Sequence, residues 1–185
     1  AADAALRQER LQVASTIYDA ATDLSPHSAQ ILNEWGLVYH LLGDYDAALA
    51  AYDRSLALDR EFPQTYLLRS DVFLARQEWS AAVDACRQAT ALDPALVQAW
   101  SAMGYAHSQM EDWENAIAAN LRVYELAPSD YNTLKNLAIL YDHAAQAESA
   151  ISFAEQAMQA APEQERPTMQ AFLDDLRQRN GKDRS

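Results

Sequence analysis

Sliding the chain along itself by 34 residues brings Ala14, Ala48, Ala82, Ala116 and Ala150 into one column. The same shift stacks Pro26, Pro94, Pro128 and Pro162, missing only at Arg60, with Pro63 following shortly after. Tyr45, Trp79 and Trp113 make another column, and Leu32, Tyr66, Trp100 and Leu134 a fourth. Small residues recur at Gly36, Ser70, Gly104 and Ala138, and rings at Tyr39, Phe73, His107 and Tyr141. A fixed period of this length means that one supersecondary unit is copied along the chain. Each copy buries its apolar side on the next, so the fold is a stack rather than a globule around one centre.

Each period divides into two helices. Trp100, Met103, Gly104 and His107 fall at i, i+3, i+4 and i+7, one stripe of a first helix. Glu111-Asp112 is a polar turn, after which Trp113, Ala116, Ile117, Asn120 and Val123 mark a second helix that Pro128 ends. The small residues have a packing reason: paired helices approach closely only where a side chain is minimal, and Gly104 is expected to face Ala116. Composition agrees, since the 185 residues hold only 4 Gly and 6 Pro and are rich in straight-chain helix formers.

The pattern W-x2-L-G-x2-Y…A-x3-F…P at a period of 34 is the tetratricopeptide signature, and residues 29–36 and 97–104 resemble it closely. The resemblance covers almost the whole chain and implies an all-α fold, a right-handed superhelical array of antiparallel helix pairs with a C-terminal capping helix. Four full units are expected at 29–62, 63–96, 97–130 and 131–164, preceded by a partial one at 1–28 and followed by a cap and polar tail at 165–185. Arg69 stands where the pattern has Leu, His107 where it has Tyr, and Cys86, Asn120 and Ala154 where it has a large ring, each weakening local packing. Arg69 would point at the helix-pair interface, so it is expected to snorkel outward or to pair with Asp53 or Glu34. In the cap, over 167–180, Met169, Phe172, Leu173 and Leu176 share one face, and Asn180-Gly181-Lys182 reads as a helix stop before a disordered tail. The start at Ala1-Ala2-Asp3 has neither an initiator Met nor a signal sequence and suggests a piece of a longer chain.

Charge and motifs narrow the function. The net charge of −13, from 27 acidic against 14 basic residues, repels a phosphate backbone and argues against nucleic acid as partner. The excess reads either as a solubilising surface or as an acidic docking face for a basic partner. The lone Cys86 lies on the apolar side of its helix, where a thiol behaves as a small hydrophobe, and it leaves the redox compartment open. No apolar run is long enough to span a bilayer, so this segment is not expected to insert into a membrane. Gly36, Gly43, Gly104 and Gly181 are too scattered for a phosphate loop, and no Gly-x-Ser-x-Gly elbow occurs. His27, His40, His107 and His143 never take helical metal-pair spacing. No enzyme activity, metal or other cofactor is expected.

The resemblance further implies that first helices line a concave groove. Removing the pair-packing positions leaves Gln30, Asn33, Leu37, His40 and Leu41 in the first full unit, then Gln64, Leu67, Asp71 and Leu74. The third and fourth units add Gln98, Ser101, Tyr105, Ser108 and Gln109, then Asn132, Lys135, Ile139, Asp142 and His143. Within this set Gln30, Gln64, Gln98 and Asn132 recur one period apart. They are either a ladder that pairs with the backbone of an extended peptide or residues merely tolerated in an exposed first turn. Leu37, Leu41, Leu67, Leu74, Tyr105 and Ile139 suggest apolar pockets, some of them completing packing between repeats. The chaperone-binding members of the family hold a terminal carboxylate with Lys, Arg and Asn. Here only Lys135 and Asn136 resemble any part of that clamp, and Glu34 and Asp71 have the wrong sign.

The function expected is a protein–protein interaction scaffold holding a peptide or partner domain in its groove. Two rivals stand beside it. One is self-association through the open N-terminal edge, with Leu11, Val13 and Ile17 completing a neighbour's stack. The other is a soluble accessory region of a larger enzyme or membrane-bound envelope protein. The residues leave the compartment open between the cytoplasm and the soluble part of such an envelope protein.

Overall fold

The computed structural model describes residues 9, 11–18, 20, 21 and 28–183. Among these, every regular element is an α-helix: α1 (residues 11–18), α2 (Ala29–Leu42), α3 (Tyr45–Leu58), α4 (Pro63–Ala75), α5 (Trp79–Leu92), α6 (Val97–Gln109), α7 (Trp113–Leu126), α8 (Tyr131–His143), α9 (Ala147–Ala160) and α10 (Arg166–Asp183). They form two compact units, 1–99 and 100–185. In the first, α2 packs on α3 and α4 on α5. In the second, α6 meets α7, α8 packs on α9, and α10 closes against α9.

The turn inside each pair repeats with the sequence. Gly43, Gln77, Glu111 and Ala145, 34 residues apart, all have left-handed backbone, with φ of 83°, 59°, 57° and 56°. Glycine adopts this region without steric cost, whereas another L-residue is penalised by roughly 1–2 kcal/mol. Ala145→Gly is therefore expected to raise stability by about 1 kcal/mol, measured by urea denaturation. A loss of stability would mean that Ala145 carries no such strain. At two of these turns an acidic residue has a local role: Asp44 Oδ1 accepts from Ala47 N at 3.1 Å, and Asp112 Oδ1 from Asn115 N at 3.4 Å. Asp59 and Asp93 accept from Glu61 N and Ala95 N, both at 2.9 Å, just after α3 and α5. Part of the acidic excess thus caps helices and closes turns.

Inside each pair a small residue on the first helix meets a matched residue on the second. A Cβ built on Gly36 would lie 2.4 Å from Tyr52 Cε1, so the fully buried Tyr52 ring rests directly on that glycine. Ser70 and Cys86 contact each other in the next pair, and burial pushes the Cys86 thiol up to about 11. That thiol stays protonated and fills space, as its place in the pattern suggested. Ala138 and Ala154 meet within the cluster of the last pair. In the α6/α7 pair, the atoms closest to a Cβ on Gly104 are Asn120 Nδ2 at 2.3 Å and Asn120 Cγ at 3.3 Å, with the Ala116 carbonyl behind them at 3.5 Å. The expected Gly104–Ala116 contact is therefore secondary to the Asn120 side chain.

Arg69 finds one of its two expected partners, with Nη2 3.3 Å from Asp53 Oδ1 and the guanidinium 5.8 Å from the Phe73 ring centroid. Pro63 occupies the first turn of α4, where its missing N–H would have had no helical acceptor. At the far end Met169, Leu173 and Leu176 are buried against Leu134, Ala150, Ala154 and Ala157, while Asp174, Asp175, Arg177 and Gln178 face outward. Arg177 pairs with Glu155 at 2.7 Å, and Arg179 grips Asp142 through two bonds of 2.9 and 3.0 Å. The helix stop expected at Asn180-Gly181-Lys182 does not occur, because α10 runs through it to Asp183. Gly181 is not in left-handed backbone, the conformation that ends α2 at Gly43, so it costs the helix only about 1 kcal/mol of propensity.

Candidate interaction surface

The residues expected to line a groove fall into three groups. Gln30, Leu37, Leu41 and Gln64 in the first unit are exposed, as is Gln98 at the start of α6, and so are Ser101, Tyr105, Gln109, Asn132, Ile139 and His143 in the second. His40, Asp71, Leu74, Ser108, Lys135 and Asp142 are half-buried. Asn33 and Leu67 are buried, 5% and 6% exposed; Asn33 still lines a hollow of the first unit, whereas Leu67 is turned into the packing between repeats. Asn33 Nδ2 donates to Thr65 Oγ1 at 2.8 Å between α2 and α4. Leu67 sits in a cluster with Ala89 and Ala99. The apolar character that marked Leu67 as a groove anchor is used to pack neighbouring repeats instead.

Several half-buried members already have partners. Lys135 Nζ lies 5.0 Å from the Tyr131 ring centroid, Asp142 is held by Arg179, and His40 meets Tyr45 edge-on with centroids 5.7 Å apart. Burial raises the carboxyl of Asp71 above the usual carboxylate range, against the opposing pull of His40. The exposed amides Gln30, Gln64, Gln98 and Asn132 each stand in the first turn or two of their helix, and Gln30 Nε2 donates to Glu34 Oε1 at 3.2 Å. His107, read as a ring substitute, is half-buried with Nδ1 2.9 Å from Asp112 Oδ2. The partial opening unit at 1–28 lies largely outside the described residues; within it, Val13 and Ile17 on α1 are exposed.

Among the described residues, hollows adjoin this surface in both units. In the first unit, one of about 460 Å³ is bordered by Gln30, Leu37 and Gln64, together with Phe62 and Leu68. In the second unit, a hollow of about 280 Å³ lies over Gly104. Its exposed rim includes Ser101, Tyr105, Gln109 and Ile139, all from the expected set, and its buried end is formed by Asn120 and Leu140. Trp113 and His143 form one wall, stacked with centroids 4.6 Å apart and planes 11° from parallel. A third hollow of about 250 Å³ opens between α8 and α10, bordered by Lys135, Ile139 and Phe172. Asn120, Trp113 and Asn136 were not among the expected site residues. The signal for Asn120 was visible as a short polar side chain where the repeat has a ring, but it read as a packing defect rather than as an opening.

Stacked helix pairs whose first helices carry exposed apolar and amide side chains beside shallow hollows define a helical-repeat scaffold. The profile of the tetratricopeptide repeat matches residues 1–65, 42–97 and 67–131, and the chain belongs to that family. Its fold matches the crystal structure of MamA with a TM-score of 0.77 at 19% identity, covering 85% of this chain and 92% of that one. It also matches the first TPR of Spaghetti (RPAP3) bound to an HSP90 peptide, with a TM-score of 0.61 at 26% identity over 63% of this chain and 93% of that one. Among curated proteins it is 30% identical over 95 residues, 51% of its length, to the small glutamine-rich tetratricopeptide repeat-containing protein 2 of Mycosarcoma maydis. The chain spans 16% to 28% of the length of the curated relatives it matches.

Proposed function

We propose that this chain is a protein-interaction scaffold that holds a peptide, or an extended segment of a partner protein, against the first-helix faces. The observation that carries this reading is the exposure of Leu37, Tyr105 and Ile139, at 39%, 50% and 37%, each at the edge of a hollow. Large apolar side chains beside concavities are where a partner's side chains gain most from leaving water. The structural relative solved with a bound peptide supports the same reading. The partner proposed is neutral or basic, because the chain carries a charge of −13 and has only Lys135 and Asn136 toward a carboxylate clamp.

The test is capture from lysate of the source cells by the wild-type protein and by Leu37→Ala/Tyr105→Ala, with bound proteins identified by mass spectrometry. The double variant is expected to lose captured partners about tenfold or more at unchanged helicity, since a desolvated anchor contributes about 1–2 kcal/mol or more. Arg87→Ala is the control: Arg87 is exposed on α5 and pairs locally with Asp84. Equal capture by all three proteins would move the interface off the first-helix faces. A peptide ending in an acidic carboxyl-terminal motif is expected not to bind.

A further inference from the structure

The hollow over Gly104 has a specific origin in the repeat. Tyr52 and Asn120 occupy the same column two periods apart, opposite Gly36 and Gly104. In the first unit the Tyr52 ring covers Gly36 and is fully buried. In the second, the Asn120 carboxamide covers Gly104, and an asparagine side chain has half the heavy atoms of a tyrosine's. Glycine on one helix therefore meets a short residue on the other, and the space that a ring would fill is open from the Tyr105 side as the 280 Å³ hollow. Asn120 is itself buried, 7% exposed, and its Nδ2 donates to the Ala116 carbonyl at 2.9 Å. Its Oδ1 accepts from no described residue.

The lining selects among guests. Among the described residues no carboxylate, guanidinium or ammonium borders the hollow, in a chain of net charge −13, so a charged side chain entering it would lose water without gaining a counter-ion. An aliphatic guest would cover the Asn120 and Asn136 carboxamides without bonding them, leaving polar groups desolvated. A planar ring that carries a hydroxyl meets both needs. Its face packs on the Trp113–His143 wall and on Ile139, and its O–H donates to Asn120 Oδ1.

We propose that the hollow over Gly104, opened by Asn120 in place of a ring, is a receptor pocket for a tyrosine side chain of the bound partner segment. This rests on the reading of the chain as a peptide-binding scaffold and names the residue that one part of its surface takes.

The probe is N-acetyl-L-tyrosinamide, titrated into the ¹⁵N-labelled full chain, with N-acetyl-L-phenylalaninamide and N-acetyl-L-leucinamide as comparators. Saturable shifts are expected at the Gly104 amide, the Asn120 side-chain NH₂ and the Trp113 indole N–H. The phenylalanine probe is expected to bind about fivefold more weakly, for want of the hydrogen bond to Asn120 Oδ1. Asn120→Tyr, which recreates the Gly36–Tyr52 arrangement, is expected to abolish the shifts. Should that variant fail to fold, Asn120→Leu keeps the shape without the carbonyl, and the preference for tyrosine over phenylalanine is expected to vanish. Equal affinity for all three probes, no saturable shift at these positions, or a tyrosine preference that survives Asn120→Leu would each overturn the pocket. Partner capture that depends on Tyr105 without any probe binding would overturn the pocket alone and leave protein binding standing.

Discussion

A chain ended after Pro162 is expected to aggregate or to melt at least roughly 10 °C lower than the full chain. That cut removes Met169, Leu173 and Leu176, which are buried against Leu134, Ala138, Ala150, Ala154 and Ala157. Each of the three large side chains contributes roughly 1.5–3 kcal/mol by leaving water. The face left behind is mainly alanine, too small to form a core with anything but a neighbouring helix. A repeat array contacts only its nearest neighbours, so the damage should concentrate in α8 and α9, read as faster amide exchange there than in α2 to α5. The exposed ion pairs Arg177–Glu155 and Arg179–Asp142 orient α10 but add little energy, because water screens them. A monomeric truncated protein that melts unchanged would show that α10 shields nothing.

Leu67→Ala is the second large effect. Leu67 packs with Ala89 and Ala99, and Tyr66 and Leu96 lie against the same cluster. Cutting a buried leucine to alanine leaves a cavity that two small alanine neighbours cannot fill, and costs about 2–5 kcal/mol. Urea denaturation should therefore show a markedly lower midpoint for Leu67→Ala and almost no change for Tyr105→Ala, which is half exposed. The two variants should separate cleanly, one losing stability and the other losing partners. A stable Leu67→Ala that fails to capture partners would restore Leu67 to the binding surface.

The contrast between those residues shows how far the periodicity reaches. Leu37, Asp71, Tyr105 and Ile139 share one column, and all but the half-buried Asp71 are exposed. The column four residues earlier holds Asn33, Leu67, Ser101 and Lys135, of which the first two are buried, the third exposed and the last half-buried. A 34-residue period determines the angle at which a side chain leaves its helix, and with it the helix pairs, their turns and the apolar stripe. It does not determine how close the next helix lies. Asn33 is covered because Thr65 stands within hydrogen-bonding distance, and Leu67 because Ala89 and Ala99 permit close approach. Asn120 makes the same point in the opposite direction. In sequence it is one polar residue in a ring column; only the packing of α6, α7 and α8 around it turns the missing ring into a 280 Å³ hollow. The repeat and its helices were carried by local periodicity in the sequence alone, and the family by the resemblance of residues 29–36 and 97–104 to its signature. Which side chains remain at the surface, and where a pocket opens, depended on volumes contributed by neighbouring helices, which only the tertiary structure brings together.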